Sequence, residues 1–307
     1  MPHIYPVGGG KGGVGKSFIT ANLGVLFAKH GKRVVLVDLD LGGSNLHTFL
    51  EIKDPKTGLH DFLNKKFNEL DHAVSPTSIP NLFILCSNNC SFDIANLFHS
   101  QKLKIIKAIQ KLPYDYVLLD LGSGTNFNTL DFFLTSNEGI FIFTPEPTSI
   151  ENTLSFIKAV YYRKLKQVLK QQTFNSIVKK LIDRSKNSTI QLPDIIEFII
   201  EQYPEKGKSL QAKLSGYKFS FVLNEFRRQV NPDLGEKIEK VCNRHFYSDF
   251  QFLGNVSYDD RVYDSVFSKK IYIQRYPYTP TATDLEHIIK KMTENNQYSV
   301  SVLPQLS

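Results

Sequence analysis

The chain has 307 residues and a formal net charge of +7, and 41% of its residues are hydrophobic and 12% aromatic. This composition is typical of a globular protein and excludes a disordered chain. No apolar run reaches the roughly 18 residues that a membrane-spanning helix requires. We expect no secretory signal, because the apolar run at the N terminus is too short and leads into glycines.

The three cysteines, Cys86, Cys90 and Cys242, form no CxxC pair and leave an odd thiol. An odd number of thiols without a pairing motif is typical of a reducing compartment. We therefore predict packed, partly buried thiols and a cytoplasmic protein.

Strand and helix patterns alternate along most of the chain. The predicted strands are uninterrupted apolar runs, which is typical of strands buried on both faces of a parallel sheet. They cover residues 3–7, 33–38, 82–86, 114–121, 139–144, 217–224 and 250–256, with helices at 16–30, 101–111 and 128–135. The alternation predicts an α/β fold: a mainly parallel twisted sheet covered by helices on both faces.

One long segment has no strand pattern. Between residues 149 and 216 there are only helical stretches, which break near Asn187 and Pro193. We interpret residues 151–215 as a helical insertion within a single domain of 1–307, with no linker at either end.

The positive charge is concentrated in this segment. Between Tyr161 and Lys186 eight basic residues accompany one acid, Asp183, and account for the whole net charge: Arg163, Lys164, Lys166, Lys170, Lys179, Lys180, Arg184 and Lys186. Such a stretch could bind acidic lipid, nucleic acid or an acidic protein, or it could be the solvated face of a helix.

Residues 10–17 (GKGGVGKS) fit the pattern GxxxxGK[ST] between a predicted strand and a predicted helix. Glycines let backbone N–H groups converge on phosphate oxygens, and the helix N terminus adds a positive dipole end. We expect Lys16 to bridge the β- and γ-phosphates and the Ser17 hydroxyl to ligate Mg²⁺. The predicted phosphate-binding residues are Gly10, Lys11, Gly12, Gly13, Val14, Gly15, Lys16 and Ser17.

Acidic residues stand at the ends of two predicted strands. Asp38 and Asp40 follow one apolar run, and Asp120 ends another, which is the Walker-B arrangement that supports the water shell of Mg²⁺. Four residues later, Gly124 could bring a backbone N–H to the γ-phosphate. The predicted ligands are therefore ATP and Mg²⁺, with Ser17, Asp38 and Asp120 at the metal.

Together these residues resemble the MinD/ParA family of P-loop ATPases, whose deviant Walker-A loop carries a second lysine, here Lys11. The resemblance implies an ATP-dependent homodimer in which two subunits sandwich the nucleotides. Lys11 would reach the partner's phosphates and stabilise the charge that develops as the γ-phosphate leaves. It also implies that Asp40 orients the attacking water and that residues 120–124 form switch II.

The resemblance extends to the second half of the chain. Residues 221–224 are similar to the strand whose terminal asparagine, here Asn224, hydrogen-bonds adenine, and residues 254–259 to the loop that lines the base. Ser257 and Asp259 are the expected contacts in that loop. The resemblance covers about residues 3–150 and 216–294 and is strongest in the first half.

Three features depart from the family pattern. Ser257 replaces a usual proline in the base loop. Pro6 stands in a strand that should be central, where its missing N–H suggests that the strand ladder has ended. The family lacks a helical insertion as long as residues 151–215, so we expect this segment to bind a protein partner.

The sequence is most similar to MinD and the flagellar-number regulator FlhG, which implies a spatial switch that positions cell-division, flagellar or other cargo. The alternative is a chromosome- or plasmid-partitioning ATPase that binds DNA without sequence preference through the basic segment. A metal-cluster carrier would need the absent CxxC, and an ATP-binding scaffold with little turnover is also open.

A C-terminal helix is predicted at 282–294. Leu285, Ile288, Ile289 and Met292 share one face, which could dock on a membrane as a peripheral anchor or pack on the protein's own sheet. We expect residues 295–307 to form a mobile tail.

Overall fold

The computed structural model describes residues 2–41, 43–53, 55–87, 97–169, 171–185 and 192–300, and the side chains of 171, 184, 185 and 295–300 are not described. Its strands are β1 (His3–Gly8), β2 (Val34–Leu39), β3 (Ser75–Pro76), β4 (Leu82–Leu85), β5 (Tyr116–Leu121), β6 (Glu138–Phe143), β7 (Lys218–Phe226) and β8 (Asp249–Ser257). They form one sheet in the order β3-β4-β2-β5-β1-β6-β7-β8, parallel except for the short edge strand β3.

Helices cover both faces of this sheet. They are α1 (Lys16–Lys29), α2 (Leu59–Leu63), α3 (His99–Ile109), α4 (Phe127–Phe133), α5 (Pro147–Leu169), α6 (Gln171–Ser185), α7 (Leu192–Gln202), α8 (Pro204–Ser215), α9 (Leu234–His245), α10 (Arg261–Phe267), α11 (Tyr272–Arg275) and α12 (Pro280–Val300), with 3₁₀ turns at Leu46–Leu50 and Leu70–Ala73. The predicted fold class is confirmed.

The central strands alternate between two cores. In β5, Val117 and Leu119 face the core under α3 to α9, whereas Tyr116 and Leu118 face the core under α1 and α12. Because both faces are covered, successive residues are all apolar, and this is why the strand appears as an uninterrupted run in the sequence.

Pro6 lies inside a strand ladder and not beyond its end. The ladder between β1 and β5 continues through Pro6, opposite Leu119, to Val7, opposite Asp120. The expectation that the ladder had ended was therefore wrong. The ladder to β6 begins only at Val7, so the proline lies next to the start of that pairing.

The segment predicted as an insertion contains four helices. The first half of α5 lies on the sheet, where Phe156 packs on Phe133 and Phe141, and α6 to α8 extend the same core through Ile177, Leu210 and other apolar residues. Pro193 lies in the first turn of α7, which begins at Leu192, so a new helix starts near this predicted break and proline is tolerated there. The other predicted break, Asn187, lies outside the described residues.

The basic residues of α5 contact other parts of the protein. Arg163 forms a two-pronged ion pair with Asp131 of α4, at 2.6 and 2.7 Å. Lys164 lies over the ring of Tyr217 and Lys166 over that of Phe174. Lys179 and Lys180 of α6 are exposed, and the side chains of the other predicted members (Lys170, Arg184 and Lys186) lie outside the described part.

The apolar stripe of α12 packs inside the protein. Leu285, Ile288, Ile289 and Met292 are all buried in the core that includes α1, which confirms internal packing for this face. The helix ends at Val300 and not near 294. The last part of the predicted tail, residues 301–307, lies outside the described residues.

Two of the three cysteines are packed in the core. Cys86 and Cys242 are buried free thiols, and burial raises the pKa of each to about 12. Both therefore stay protonated at neutral pH, as the prediction of packed thiols required. Cys90 lies outside the described residues.

Candidate functional site: a nucleotide cavity at the phosphate loop

Residues 9–15 form the turn between β1 and α1, and two of the glycines fit only without a side chain. Gly15 adopts φ 87°, and a Cβ there would lie 2.2 Å from Nδ2 of Asn224. A Cβ on Gly10 would lie 2.0 Å from the backbone oxygen of Asn152 in α5. The loop is therefore clamped between α5 and the end of β7, with its N–H groups free of side-chain obstruction.

Lys16 begins α1 and is buried, with 8% of its surface exposed. Burial lowers the pKa of its ammonium group, and the nearby carboxylates of Asp120 and Asp40 oppose that shift. A cation held among carboxylates next to open loop amides can bind the negative oxygens of a phosphate chain.

Two buried carboxylates lie side by side because β2 and β5 are paired, with Asp38 opposite Asp120. Asp38 has three hydrogen bonds: its Oδ1 accepts from the Asp40 N–H at 3.1 Å, and its Oδ2 accepts from the Ser44 hydroxyl at 2.7 Å and the Leu46 N–H at 3.2 Å. Burial nevertheless raises the pKa of Asp38 to about 6.

Asp120 is less well satisfied. One carboxylate oxygen, Oδ1, is buried without a hydrogen-bond partner, and the Ser17 hydroxyl bonds to the carboxyl group. Burial and the neighbouring Asp38 raise the pKa of Asp120 to about 7. An unpartnered buried oxygen beside a P-loop serine is suited to a hydrated divalent cation, which would supply the missing contact.

The described residues contain no group of three or more His, Cys, Asp or Glu side chains that could hold a metal by themselves. Mg²⁺ is commonly bound through one or two carboxylates together with water and substrate phosphates. Ser17, Asp38 and Asp120 fit such a partial set.

Asp40, in the loop after β2, lies against the residue that follows β5. Its Oδ1 atom would lie 3.0 Å from a Cβ on Gly122, just after β5, so the glycine gives this carboxylate room. Asp40 also lines the cavity and acts on Lys16. Its position, beside the lysine and at the cavity wall, is suitable for a group that orients water.

A cavity of about 590 Å³ extends from the phosphate loop to the loop after β8. Of the predicted site residues it is lined by Gly12, Gly13, Gly15, Lys16, Ser17, Asp40, Asn224, Ser257 and Asp259. The structure therefore brings together most residues predicted from both halves of the chain. Gly10, Lys11, Val14, Asp38, Asp120 and Gly124 lie outside the lining, and Asp38 and Asp120 lie beneath the loop.

The predicted base contacts are largely occupied by the protein itself. Nδ2 of Asn224 donates to the Val14 carbonyl at 3.0 Å, which leaves its oxygen for a ligand. The Ser257 N–H donates to Asp284 and its carbonyl accepts from Thr281. The Ser257 N–H is thus unavailable to the base in this conformation, and its carbonyl already has one partner.

Asp259 is likewise engaged within the protein. Its carboxylate accepts from Arg261 at 2.8 Å and from the Tyr272 hydroxyl at 2.6 Å. Although burial acts in the opposite direction, these hydrogen bonds together hold the pKa of Asp259 below its usual value. Asp259 lines the cavity but orders its own loop, which differs from the expected direct contact with the base.

Lys11 and Gly124 lie at the edges of the site. Lys11 is exposed. The pKa of Glu146 is lowered, chiefly by a hydrogen bond from Thr144 and to a smaller extent by Lys11, so the lysine lies near the start of α5. Gly124 has φ 83°, a left-handed conformation that favours glycine, in the loop before α4.

Several residues that line the cavity were not predicted from the sequence. Glu225 follows Asn224 with φ 56°, and Tyr258 and Tyr263 flank the base loop. The two tyrosines could have been noticed as aromatic side chains in and just after a segment predicted to line a base. Nothing in the sequence indicates the left-handed conformation of Glu225.

Comparison with known proteins identifies the family of the chain. The family described as "CobQ/CobB/MinD/ParA nucleotide binding domain" matches residues 6–272. The chain belongs to this MinD/ParA family. Its predicted membership is confirmed, and with it the prediction of a nucleotide-binding domain.

Among curated MinD/ParA proteins, the septum site-determining protein MinD of Helicobacter pylori is 27% identical over 265 residues, 81% of this chain and 97% of the relative. Matches to some other MinD sequences span only about half of the relative's length.

Two solved structures of MinD proteins share the fold. MinD of Pyrococcus horikoshii complexed with Mg-ADP superposes with a TM-score of 0.66 at 20% identity, covering 97% of this chain and 98% of that one. The MinC:MinD complex of Aquifex aeolicus superposes with a TM-score of 0.59 at 16% identity, covering 95% of this chain and 96% of that one.

No helix among the described residues is long and apolar enough to span a membrane.

Proposed function

We propose that this MinD/ParA-family protein is a spatial switch that hydrolyses ATP in a nucleotide-sandwich dimer and thereby positions a cell-division, flagellar or other cargo. The observation that supports hydrolysis most directly is the convergence of Lys16, Ser17 and Asp40 on one cavity, with the unpartnered oxygen of Asp120 beneath it. A binding scaffold alone would not need a carboxylate poised beside Lys16.

Each residue has a distinct role in this proposal. Lys16 binds the β- and γ-phosphates, and loop amides bind the remaining oxygens. Asp40 accepts a hydrogen bond from the attacking water and orients it, while Ser17, Asp38 and Asp120 hold the metal and its water shell. Magnesium, when bound, neutralises charge on the phosphates.

Lys11 is proposed to act across the dimer. It is exposed near the start of the phosphate loop, whereas Lys16 at the start of α1 is buried. An exposed cation on that face can reach the phosphates of a facing subunit and stabilise the leaving charge there. Hydrolysis would then require two subunits, so dimerisation would control when ATP is hydrolysed.

We propose that residues 151–215 bind a protein partner, chiefly through α6 to α8, since the first half of α5 is part of the sheet cover. The Aquifex aeolicus relative was solved as a MinC:MinD complex, which supports a protein partner for this chain too.

We place the protein in the cytoplasm, with any membrane association peripheral. DNA partitioning is less favoured, because Arg163, Lys164 and Lys166 have intramolecular partners.

Two substitutions test the switch. Asp40→Ala should bind ATP, accumulate as a dimer in light scattering and lose turnover by roughly 100-fold, because water is no longer oriented. Lys11→Ala should keep ATP binding and lose turnover to a similar extent, because the γ-phosphate charge is no longer stabilised. Asp183→Ala, at an exposed site on α6, is the control and should leave both properties unchanged.

These measurements are made with Mg-ATP alone, with anionic liposomes and with DNA. An Asp40→Ala protein that stays monomeric with ATP would contradict the dimer mechanism. Unchanged turnover in Lys11→Ala would remove the cross-subunit role, and absence of turnover in the wild type under every condition would favour a binding scaffold.

A further inference from the structure

The base end of the cavity has an aromatic ring that no hydrogen-bonding role explains. Tyr263 of α10 lines the same cavity as Gly12, Lys16 and Asn224, yet 73% of its surface is exposed. A solvent-exposed aromatic side chain at the wall of a nucleotide cavity presents a flat apolar face to the bound ligand.

The ring of Tyr263 is supported from within the helix. Phe267, one turn later, stacks on it with ring centroids 6.2 Å apart and an angle of 16° between the planes. Phe267 is itself 80% exposed, so the pair is not part of the protein core. A second ring behind the first restricts its orientation, which lowers the entropy lost when a ligand stacks on it.

The neighbouring Tyr258 is differently arranged. The guanidinium group of Arg227 lies 3.5 Å from the centroid of its ring, and its hydroxyl donates to Asp260. One face of Tyr258 is therefore already covered by the protein. Among the cavity tyrosines, Tyr263 is the more exposed, 73% against 40%.

Hydrogen-bond readout of the base is limited at the same place. The backbone groups of Ser257 and the carboxylate of Asp259 are engaged inside the protein, and Asn224 has donated one amide hydrogen to the phosphate loop. Asn224 keeps its side-chain oxygen and one amide hydrogen for a ligand, so a supported aromatic ring adds contact with the face of the base to a limited readout of its edge.

We propose that Tyr263, supported by Phe267, stacks on the purine base of the bound nucleotide and supplies most of the base-dependent affinity. This inference rests on the proposed nucleotide site and concerns its base end only. Because every base has a π face, stacking tolerates different purines. Tyr263 should therefore contribute to the affinity of adenine and guanine nucleotides alike, whereas the choice between the two bases is left to the polar groups of the cavity.

The test compares three ligands that share a phosphate tail: Mg-ATP, Mg-GTP and Mg-tripolyphosphate, which has no base. Titration calorimetry gives the dissociation constant of each for the full chain. Tyr263→Ala should weaken ATP and GTP by roughly ten-fold or more and leave tripolyphosphate unchanged. Tyr263→Phe keeps the ring and should bind all three ligands like the wild type.

Tyr278→Ala is the matched control, because Tyr278 is 97% exposed and does not line the cavity. It should bind all three ligands normally. Thermal unfolding without ligand should be the same for both alanine variants and the wild type, since both tyrosines are exposed.

The outcomes separate the two levels of the proposal. Equal ATP binding by Tyr263→Ala and wild type would overturn the stacking role, as would an equal loss for tripolyphosphate. A large loss for ATP with no loss for GTP in Tyr263→Ala would also overturn the stacking role, because both bases offer a π face. If the wild type binds neither ATP nor tripolyphosphate, the nucleotide site itself is wrong.

Discussion

The two ends of the cavity are built from different parts of the fold. The phosphate end uses strand ends and a helix start, where Asp38 and Asp120 are fixed by strand register and Lys16 is fixed by α1. The base end uses the loop after β8 and the short helix α10, and its polar groups bond mostly to one another. Buried charge therefore concentrates at one end, and exposed aromatic surface at the other.

This difference indicates that the two ends contribute in different ways. At the phosphate end, desolvated charges lack partners until a ligand binds, so single substitutions should change ligand affinity or stability strongly. At the base end, the protein has already satisfied its own polar groups, so single changes should have moderate effects.

The largest effect is expected at Lys16. Lys16→Ala removes the buried cation that faces the phosphates and should weaken Mg-ATP binding by more than about 100-fold, since charge-assisted contacts to phosphate are among the strongest. Calorimetry measures this loss. Lys29→Ala, at the exposed end of α1, is the control and should bind normally. Near-normal affinity of Lys16→Ala would show that the loop does not bind the phosphates.

A second prediction concerns pH and the metal-free protein. The pKa of Asp120 is raised from 3.8 to about 7, so the folded state holds its proton more tightly than the unfolded state. Stability from this group is complete below pH 4 and is lost as pH rises toward 7. Asp120→Asn should therefore raise the melting temperature of the metal-free protein at pH 8 by several degrees, and change it little at pH 4.

The control for this prediction is a second buried aspartate whose charge is compensated. Burial acts to raise the pKa of Asp131, but hydrogen bonds from Arg163 and Lys102 outweigh it and lower the pKa. Asp131→Asn should therefore destabilise the protein at pH 8, opposite to Asp120→Asn. With Mg-ATP bound, the wild type should melt at a higher temperature than Asp120→Asn, because the ligand stabilises the wild type more. The same sign for both variants without metal would refute the assignment of Asp120 as the uncompensated charge.

The smallest effect is expected at Asn224, which joins the two ends. Asn224→Ala removes one hydrogen bond to the Val14 carbonyl, worth about 1 kcal/mol. Because Val14 belongs to the phosphate loop, affinity for ATP and for tripolyphosphate should fall together by roughly five-fold. A loss for ATP alone would mean that Asn224 acts on the base and not on the loop.

The sequence predicted the phosphate end better than the base end for a physical reason. Residues 10–17 and the strand end at Asp120 are local patterns, in which each residue type is required by its immediate neighbours. Their roles at the metal and in catalysis stay predictions. The fold class followed from the same kind of signal, because buried parallel strands leave uninterrupted apolar runs.

The remaining features depend on contacts between distant residues. Asn224 and Val14 are 210 positions apart, and Ser257 and Asp284 are 27 apart. No local pattern reveals that these groups are already paired. The same reason explains the basic segment, where Arg163 appears as free charge until its pairing with Asp131, 32 positions away, is seen.

The packing of α12 has a consequence for attachment to lipid. Its four apolar side chains lie in the core with α1, the helix that begins at Lys16. Detaching the helix from the core would cost about 1.5–3 kcal/mol of burial free energy for each large apolar side chain, and insertion into a bilayer would regain only a comparable amount. An anchor built from this stripe would gain little from the membrane while uncovering the support of the nucleotide loop, so any tether must be sought in another part of the molecule.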